Sequence, residues 1–245
     1  MKAMIQVKNI RKVYRVGEEK IVALNNINVT IEEGEVCCIF GTSGSGKSTL
    51  LNLLAGLEKP TWGEIIINQT PVTGMNENQM AAFRQQHLGF IFQAYNLLPY
   101  LTAGENVALP LMFRGVEEKS RNRQAAQILK KVGLGNRMSH YPTQMSGGQQ
   151  QRVGIARAFA AHPEVVFADE PTGNLDTRTT KEIMAMMLEI ARKHRQTLVL
   201  VTHDPEMAGY ADRIVKLIDG EIVDDHKVRR TDKKEQIHRR TEEEQ

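Results

Sequence analysis

Gly41-Thr42-Ser43-Gly44-Ser45-Gly46-Lys47-Ser48-Thr49 follows the short apolar run Val36-Cys37-Cys38-Ile39-Phe40 and precedes Leu50-Leu51-Asn52-Leu53-Leu54. The nine residues fit G-x-x-x-x-G-K-[ST], a loop that turns backbone N–H groups onto phosphate oxygens. Glycines at 41, 44 and 46 allow the close approach that side chains there would obstruct, with Thr42, Ser43 and Ser45 completing the cradle. Lys47 is expected over the β- and γ-phosphates and Ser48 beside Mg²⁺. Thr49 then opens a helix whose N-terminal dipole favours the same negative charge. A glycine-rich turn without a ligand is the competing reading. The order strand, loop, helix favours the phosphate loop, and a nucleoside triphosphate is the implied ligand.

Outward from this loop the chain reads as α/β. Buried-strand candidates at Val36–Phe40, Val165–Ala168 and Thr197–Thr202 each adjoin a helix, the pattern of a parallel sheet. Partly alternating segments at Met4–Ile10, Ile27–Ile31 and Gly63–Ile67, with a turn at Glu33-Gly34, predict a separate antiparallel β layer. From Thr102 to Arg157 the signal is helical, around Glu118–Val132 and Gln149–Ala160, and predicts an inserted helical subdomain at about 102–157. No internal repeat is present. Residues 227–245 mix charges without an apolar face wide enough to pack, and read as a loosely ordered tail. A partner-binding helix or a basic membrane-surface patch at Arg229, Arg230, Lys233, Lys234, Arg239 and Arg240 is the minor reading there.

Composition narrows the classes further. A chain of 245 residues with 41% hydrophobic content suffices for one substantial core. No run of eighteen apolar residues predicts a membrane span, and the N-terminal Met1-Lys2-Ala3-Met4-Ile5-Gln6-Val7 lacks a signal-peptide core, so a cytoplasmic location is expected. The net charge is +3, but residues 226–245 hold seven Lys/Arg against five Asp/Glu, leaving 25 against 24 in the body. No basic face for nucleic acid is implied. Cys37 and Cys38 are adjacent on one strand, point to opposite faces, and read as small core residues.

Two further constellations carry chemistry. Val165-Val166-Phe167-Ala168 ends in Asp169-Glu170, placed so that the first carboxylate can meet a metal and the second a water attacking the γ-phosphate. Capping of a helix after Pro171 is the alternative. Ser146-Gly147-Gly148-Gln149 leads into a helix and offers a hydroxyl and glycine amides as a second anion site. With one nucleotide loop per chain, that site has no phosphate of its own unless another copy brings one.

Together these motifs resemble the ATP-binding subunit of ATP-binding cassette (ABC) transporters, over about Val7 to Val223. The resemblance implies a P-loop NTPase fold with a RecA-like parallel-sheet core, the antiparallel layer and the helical insertion, with residues 1–226 forming the ABC ATPase domain. It places Tyr14 as the aromatic that stacks on adenine, Gln93 in the Q-loop, Gly173-Asn174-Leu175-Asp176 as the D-loop, and His203 as the switch histidine at the γ-phosphate. Catalysis would then rest on Glu170, His203, Lys47 and Gln93, with Ser48, Gln93 and Asp169 around Mg²⁺. It also implies a head-to-tail dimer that sandwiches each ATP between one phosphate loop and the partner's Ser146-Gly147-Gly148-Gln149, with Asp176 beside it. Taken singly, Tyr14 would be a core or edge aromatic, Gln93 a strand-end polar residue and His203 a structural histidine.

Phe92–Pro99, Leu101–Val107 and Ala168–Asp176 resemble the MacB/LolD/FtsE branch. Its implied partner is an integral membrane permease of the MacB/FtsX type, with a periplasmic or extracellular adaptor reached through it and the ATPase on the inner membrane face. Thr42 stands where that branch usually has proline, and Met145 where it usually has leucine. Neither supplies an essential hydroxyl, amide or charge. Leu97–Leu101 reads equally as core or as partner contact. The rival function is a soluble ABC ATPase clamping a nucleic-acid or ribosomal target, which the near-neutral body and single cassette disfavour.

Overall fold

The computed structural model describes residues 2–228 of the 245. In chain order the elements are β1 (Ala3–Val16), β2 (Glu19–Glu32), β3 (Val36–Phe40), α1 (Lys47–Leu54), β4 (Trp62–Ile67), β5 (Thr70–Pro71), α2 (Glu77–His87), β6 (Leu88–Ile91), α3 (Ala103–Phe113) and α4 (Glu118–Lys131). A 3₁₀ turn at Pro142–Gln144 leads to α5 (Gly147–Ala160), β7 (Val165–Asp169), α6 (Thr177–Lys193), β8 (Thr197–Thr202), α7 (Pro205–Ala208), β9 (Arg213–Ile218) and β10 (Glu221–Lys227). The chain divides into two compact units, one formed by residues up to Thr73 and from Val199 onward, the other by Gly74–Leu198.

In the first unit, β2-β1-β4-β5 form an antiparallel sheet. Its core face is Ile5, Val7, Ile10, Leu24, Ile27, Val29, Ile31, Ile65 and Ile67, all buried. The register between β1 and β2 shifts four times, and two of the shifts lie at its centre. Val7 pairs with Val29 but Ile10 with Ile27, so β1 carries an extra residue, and Lys12 then pairs with Leu24, which puts an extra residue in β2. Asn9 and Asn26, both at φ 52°, sit in these bulges, and asparagine tolerates that left-handed backbone better than most residues. The same unit holds β10-β9-β3, with β3 parallel to β9 and β10 antiparallel to it. Both cysteines of β3 are free and fully buried, and burial pushes the Cys38 thiol up to about 12, so neither is a nucleophile at neutral pH.

In the second unit β6 lies parallel to β7. Phe167 of β7 stacks on Phe90 of β6 at 5.6 Å between centroids. Helices α3, α4 and α5 occupy the stretch expected to be a helical insertion. Of these, α3 was not foreseen. Gly104 and Pro110 weaken its pattern, yet a capping box between Thr102 and Glu105 starts it and Val107, Ala108 and Leu111 bury one face. Beside it, Asn106 is fully buried, accepting from Leu98 N and donating to the carbonyls of Leu98, Leu101 and Thr102. Leu97–Leu101 itself is not core: no residue of it is buried, and Tyr100 is 70% exposed. Of the charged tail, positions 229–245 lie outside the described residues.

Candidate functional site

The phosphate loop lies in the first unit, between β3 and α1. Ser45 N donates to Thr42 O at 3.3 Å, and Lys47 Nζ donates to the same carbonyl at 2.7 Å, folding the buried lysine back across its own loop. Gly44 and Gly46 adopt φ 80° and 99°, which L-residues seldom take. At Gly46 a Cβ would stand 2.7 Å from Ala23 O and 2.9 Å from Leu24 Cδ2, so β2 passes too close for any side chain.

Helix α1 begins differently from its neighbours. The longer helices α2, α3, α4, α5 and α6 all start on a side-chain cap, from Asn76, Thr102, Glu117, Ser146 and Asp176 respectively. Helix α1 starts on Gly46 with no side-chain cap and no acidic residue in its first turn. Its leading N–H groups are therefore aimed at an external anion, beside a lysine, and this fits a polyphosphate. Tyr14 of β1 is half-buried, its Oη donating to Glu58 at 2.7 Å. His203 is exposed directly after β8, ahead of Asp204, which caps α7 through Glu206 N at 2.7 Å.

The second unit gathers the other motifs. Asp169 ends β7, and Glu170 follows in a left-handed conformation at φ 41°, an uncommon state for a glutamate and one that concentrates at functional sites. Gly173 N closes the turn onto Glu170 O at 3.0 Å. The capping alternative is overturned here. The helix beyond Pro171 is capped by Asp176, which accepts from Thr179 N at 3.0 Å and Thr179 Oγ1 at 2.6 Å. Those two bonds, the side-chain one first, hold the Asp176 carboxyl below the usual carboxylate range.

Gln93 lies in an exposed turn after β6. Its carbonyl accepts from Asn174 Nδ2 at 3.1 Å, and its Nε2 lies 2.8 Å from where a Cβ of Gly173 would stand. Ser146 and Gln149 form a reciprocal capping box, Gln149 N donating to Ser146 Oγ at 3.3 Å and Ser146 N to Gln149 Oε1 at 3.1 Å. Ser146 thereby keeps a hydroxyl proton to donate outward. Gly147 passes so near Tyr95 that a Cβ would meet its Oη at 2.8 Å. Arg157 of α5 donates to Tyr95 O at 2.9 Å and Asn96 O at 2.6 Å.

Gln151 of α5 is fully buried and donates Nε2 to Pro171 O at 2.5 Å, next to Glu170; its Oε1 has no partner. Gln93, the Ser146 segment and the Asp169–Asp176 segment are thus joined by direct contacts within one unit. The sequence does not single out Gln151 and Arg157, which help join them, and names Asn174 only within the D-loop, without its bond to Gln93 O. Isolated polar residues give no pattern; only the partners reveal them.

A strand-to-helix phosphate loop, an acidic strand end followed by a strained glutamate, and a second capped helix start define an ATP-hydrolysing P-loop protein of α/β architecture. The ABC transporter family pattern matches residues 24–173. The chain is 50% identical over 221 residues to the ABC transporter ATP-binding protein MJ1508 of Methanocaldococcus jannaschii, covering 90% of this chain and 98% of that one. It is 46% identical over 224 residues to the macrolide export ATP-binding/permease protein MacB of Rhodopirellula baltica, covering 91% of this chain but 33% of MacB. The structure superposes with TM-score 0.86 on the M. jannaschii cassette MJ0796, solved as a post-hydrolysis dimer bound to ADP and Pi, at 43% identity over 92% of this chain and 99% of that one. The protein belongs to the ABC transporter family, as an ATP-binding and ATP-hydrolysing cassette of the branch that includes MacB.

Proposed function

We propose that two copies of this chain close head to tail around two Mg-ATP and drive a membrane permease of the MacB/FtsX type. The observation that carries this reading is the partial match to MacB. That protein's name joins ATP-binding and permease parts, and this chain corresponds to one third of its length. Among the described residues no helix is long and apolar enough to cross a membrane, in keeping with a cassette held peripherally on the inner face by its partner. An extracytoplasmic adaptor would be reached only through that permease. Residues 1–226 would act as one ATPase domain, with a helical part at about 102–157 inserted in its α/β core.

Each residue role follows from chemistry at its position. Gly41–Thr49 would wrap the triphosphate, with Lys47 exchanging its bond to Thr42 O for the β- and γ-phosphate oxygens. Tyr14 would stack on adenine, at a gain on the order of 1–3 kcal/mol. Glu170, held apart by its backbone, would orient the attacking water, and His203 would hydrogen-bond the γ-phosphate. Ser146, Gly147, Gly148 and Gln149 would serve the partner's ATP, with Asp176 beside the same interface and Gln93 reporting to the permease.

The donor set suits Mg²⁺. Ser48 and Asp169 offer hard oxygens, Gln93 a third, and among the described residues no cluster of three His, Cys, Asp or Glu forms a cage that would exclude phosphate oxygens and water. When bound, the ion would supply charge neutralisation at the β- and γ-phosphates. The test is a mild-detergent pull-down from native cells with Glu170→Gln and ATP. A co-purifying few-span membrane protein with a large outer domain supports the reading. Ribosomal or nucleic-acid-bound material without a membrane chain would replace it with the soluble clamp.

A further inference from the structure

Five side chains around Tyr14 form one connected network within the first unit. Tyr14 Oη donates to Glu58 Oε2 at 2.7 Å and is itself hydrogen-bonded by Thr49 of α1. Asn52, one turn further along α1, donates Nδ2 to Glu58 Oε1 at 3.1 Å. Thr49 and Asn52 are three residues apart and so share a helix face. Lys12 Nζ pairs with Glu58 Oε2 at 3.0 Å, donates to Lys59 O at 2.8 Å, and lies 4.9 Å from the centroid of the Tyr14 ring. Both carboxylate oxygens of Glu58 are therefore engaged, one ring face of Tyr14 is covered by an ammonium, and its hydroxyl is fixed at both ends.

We infer that Glu58 is a positioning residue for the nucleotide base: it locks the plane of Tyr14 to the phosphate-loop helix, so that base platform and phosphate cradle move as one body. This rests on the reading of Tyr14 as the base-stacking residue. A free tyrosine turns about two side-chain torsions, and a base that stacks on it must first order the ring. Here the ring is ordered in advance by groups that never touch the ligand, and that preorganisation shows as affinity. The Lys12 ammonium leaves a single ring face for a base, which fixes the side from which the nucleotide approaches. The charges support the arrangement: burial pushes the Glu58 carboxyl up, but hydrogen bonds from Tyr14, Lys12 and Asn52 outweigh it and leave the group below the usual carboxylate range. Burial and the Glu58 bond raise the Tyr14 phenol, so it stays a donor at every physiological pH.

The role separates from simple structural support by the part of the ligand it acts on. Binding of ADP, which carries the base, and of inorganic tripolyphosphate, which lacks it, would be measured by competition with the full-length protein. Glu58→Gln and Tyr14→Phe should each weaken ADP by about three- to tenfold, the range expected for the net worth of one ordinary hydrogen bond, and leave tripolyphosphate within about twofold. The double variant should be no weaker than either single one, since both break the same bond. Equal weakening of both ligands would make Glu58 a support for α1 and overturn the inference. Unchanged ADP binding in both single variants, with a clear loss in Tyr14→Ala, would overturn it while sparing the stacking role. Unchanged ADP binding in Tyr14→Ala would overturn the stacking role and the inference with it.

Discussion

Replacing Gly46 by alanine tests the account of the phosphate loop most directly, because its cost splits into two parts with different origins. The first is conformational. At φ 99° an L-residue is strained by about 1–2 kcal/mol. Alanine also restricts the unfolded chain, which returns about 0.4–1 kcal/mol. The second part is the close approach of β2, where the new Cβ would lie 2.7 Å from Ala23 O and 2.9 Å from Leu24 Cδ2. An ordinary contact needs about 3.4–3.5 Å, so loop or strand must give by more than half an ångström, at about 1–3 kcal/mol for overpacking of this kind.

Gly44 is the internal control: its φ is 80°, but nothing lies within 4 Å of its Cβ position. Gly44→Ala should therefore cost about 1 kcal/mol or less and Gly46→Ala about 2–4 kcal/mol. For a chain of this size that is at most roughly 2–4 °C of melting temperature against roughly 4–16 °C. ATP affinity should fall much further for Gly46→Ala, because the amide that opens α1 is displaced. The assay is thermal and urea unfolding of both variants, followed by ATP titration. If the two are equally stable within about 0.5 kcal/mol, the close-approach argument is wrong.

Glu170→Gln should bind ATP as the parent does but hydrolyse it at least about 100-fold more slowly and accumulate as an ATP-dependent dimer on size exclusion; full turnover without a dimer would remove Glu170 from its assigned role. Gln151→Met keeps the buried volume and abolishes the orphan Oε1 while leaving Pro171 O without its donor. It should cost about 1–2 kcal/mol in urea unfolding and lower hydrolysis more than ATP affinity, whereas a stability gain would show that the bond to Pro171 contributes nothing. Because the folded Glu58 carboxyl titrates below its usual range, its contribution is present at neutral pH and lost as pH falls through that lowered value. The melting temperature of Glu58→Gln should accordingly decline less steeply than the parent's below about pH 5, and parallel profiles would contradict this.

The phosphate loop was legible because it is local. Strand, glycines, lysine and helix are consecutive, and their chemistry does not depend on what packs around them. The buried strands β3, β7 and β8 were legible for a similar reason, since uninterrupted apolar runs need no partner to be recognised. Strand β1 was read only to Ile10 although it runs to Val16, and β2 only from Ile27 although it starts at Glu19. Bulges at Asn9 and Asn26 reverse the in–out parity, and beyond them the tip of the hairpin is exposed on both faces, Val16, Ile21 and Val22 included, so no buried-exposed alternation continues. Helix α3 was hidden by Gly104 and Pro110 and is held instead by its capping box and buried face.

The site divides the same way. Sequence by itself singled out the groups proposed to react, because Lys47, Ser48, Asp169 and Glu170 belong to short runs recognisable without their tertiary partners. Tertiary structure alone decided what holds those groups in place. Glu58 reaches Tyr14 from 44 positions away, and Gln151 reaches Pro171 from 20. A hydrogen bond between residues so far apart leaves no trace in local composition; it exists only once hydrophobic burial has brought the two segments together.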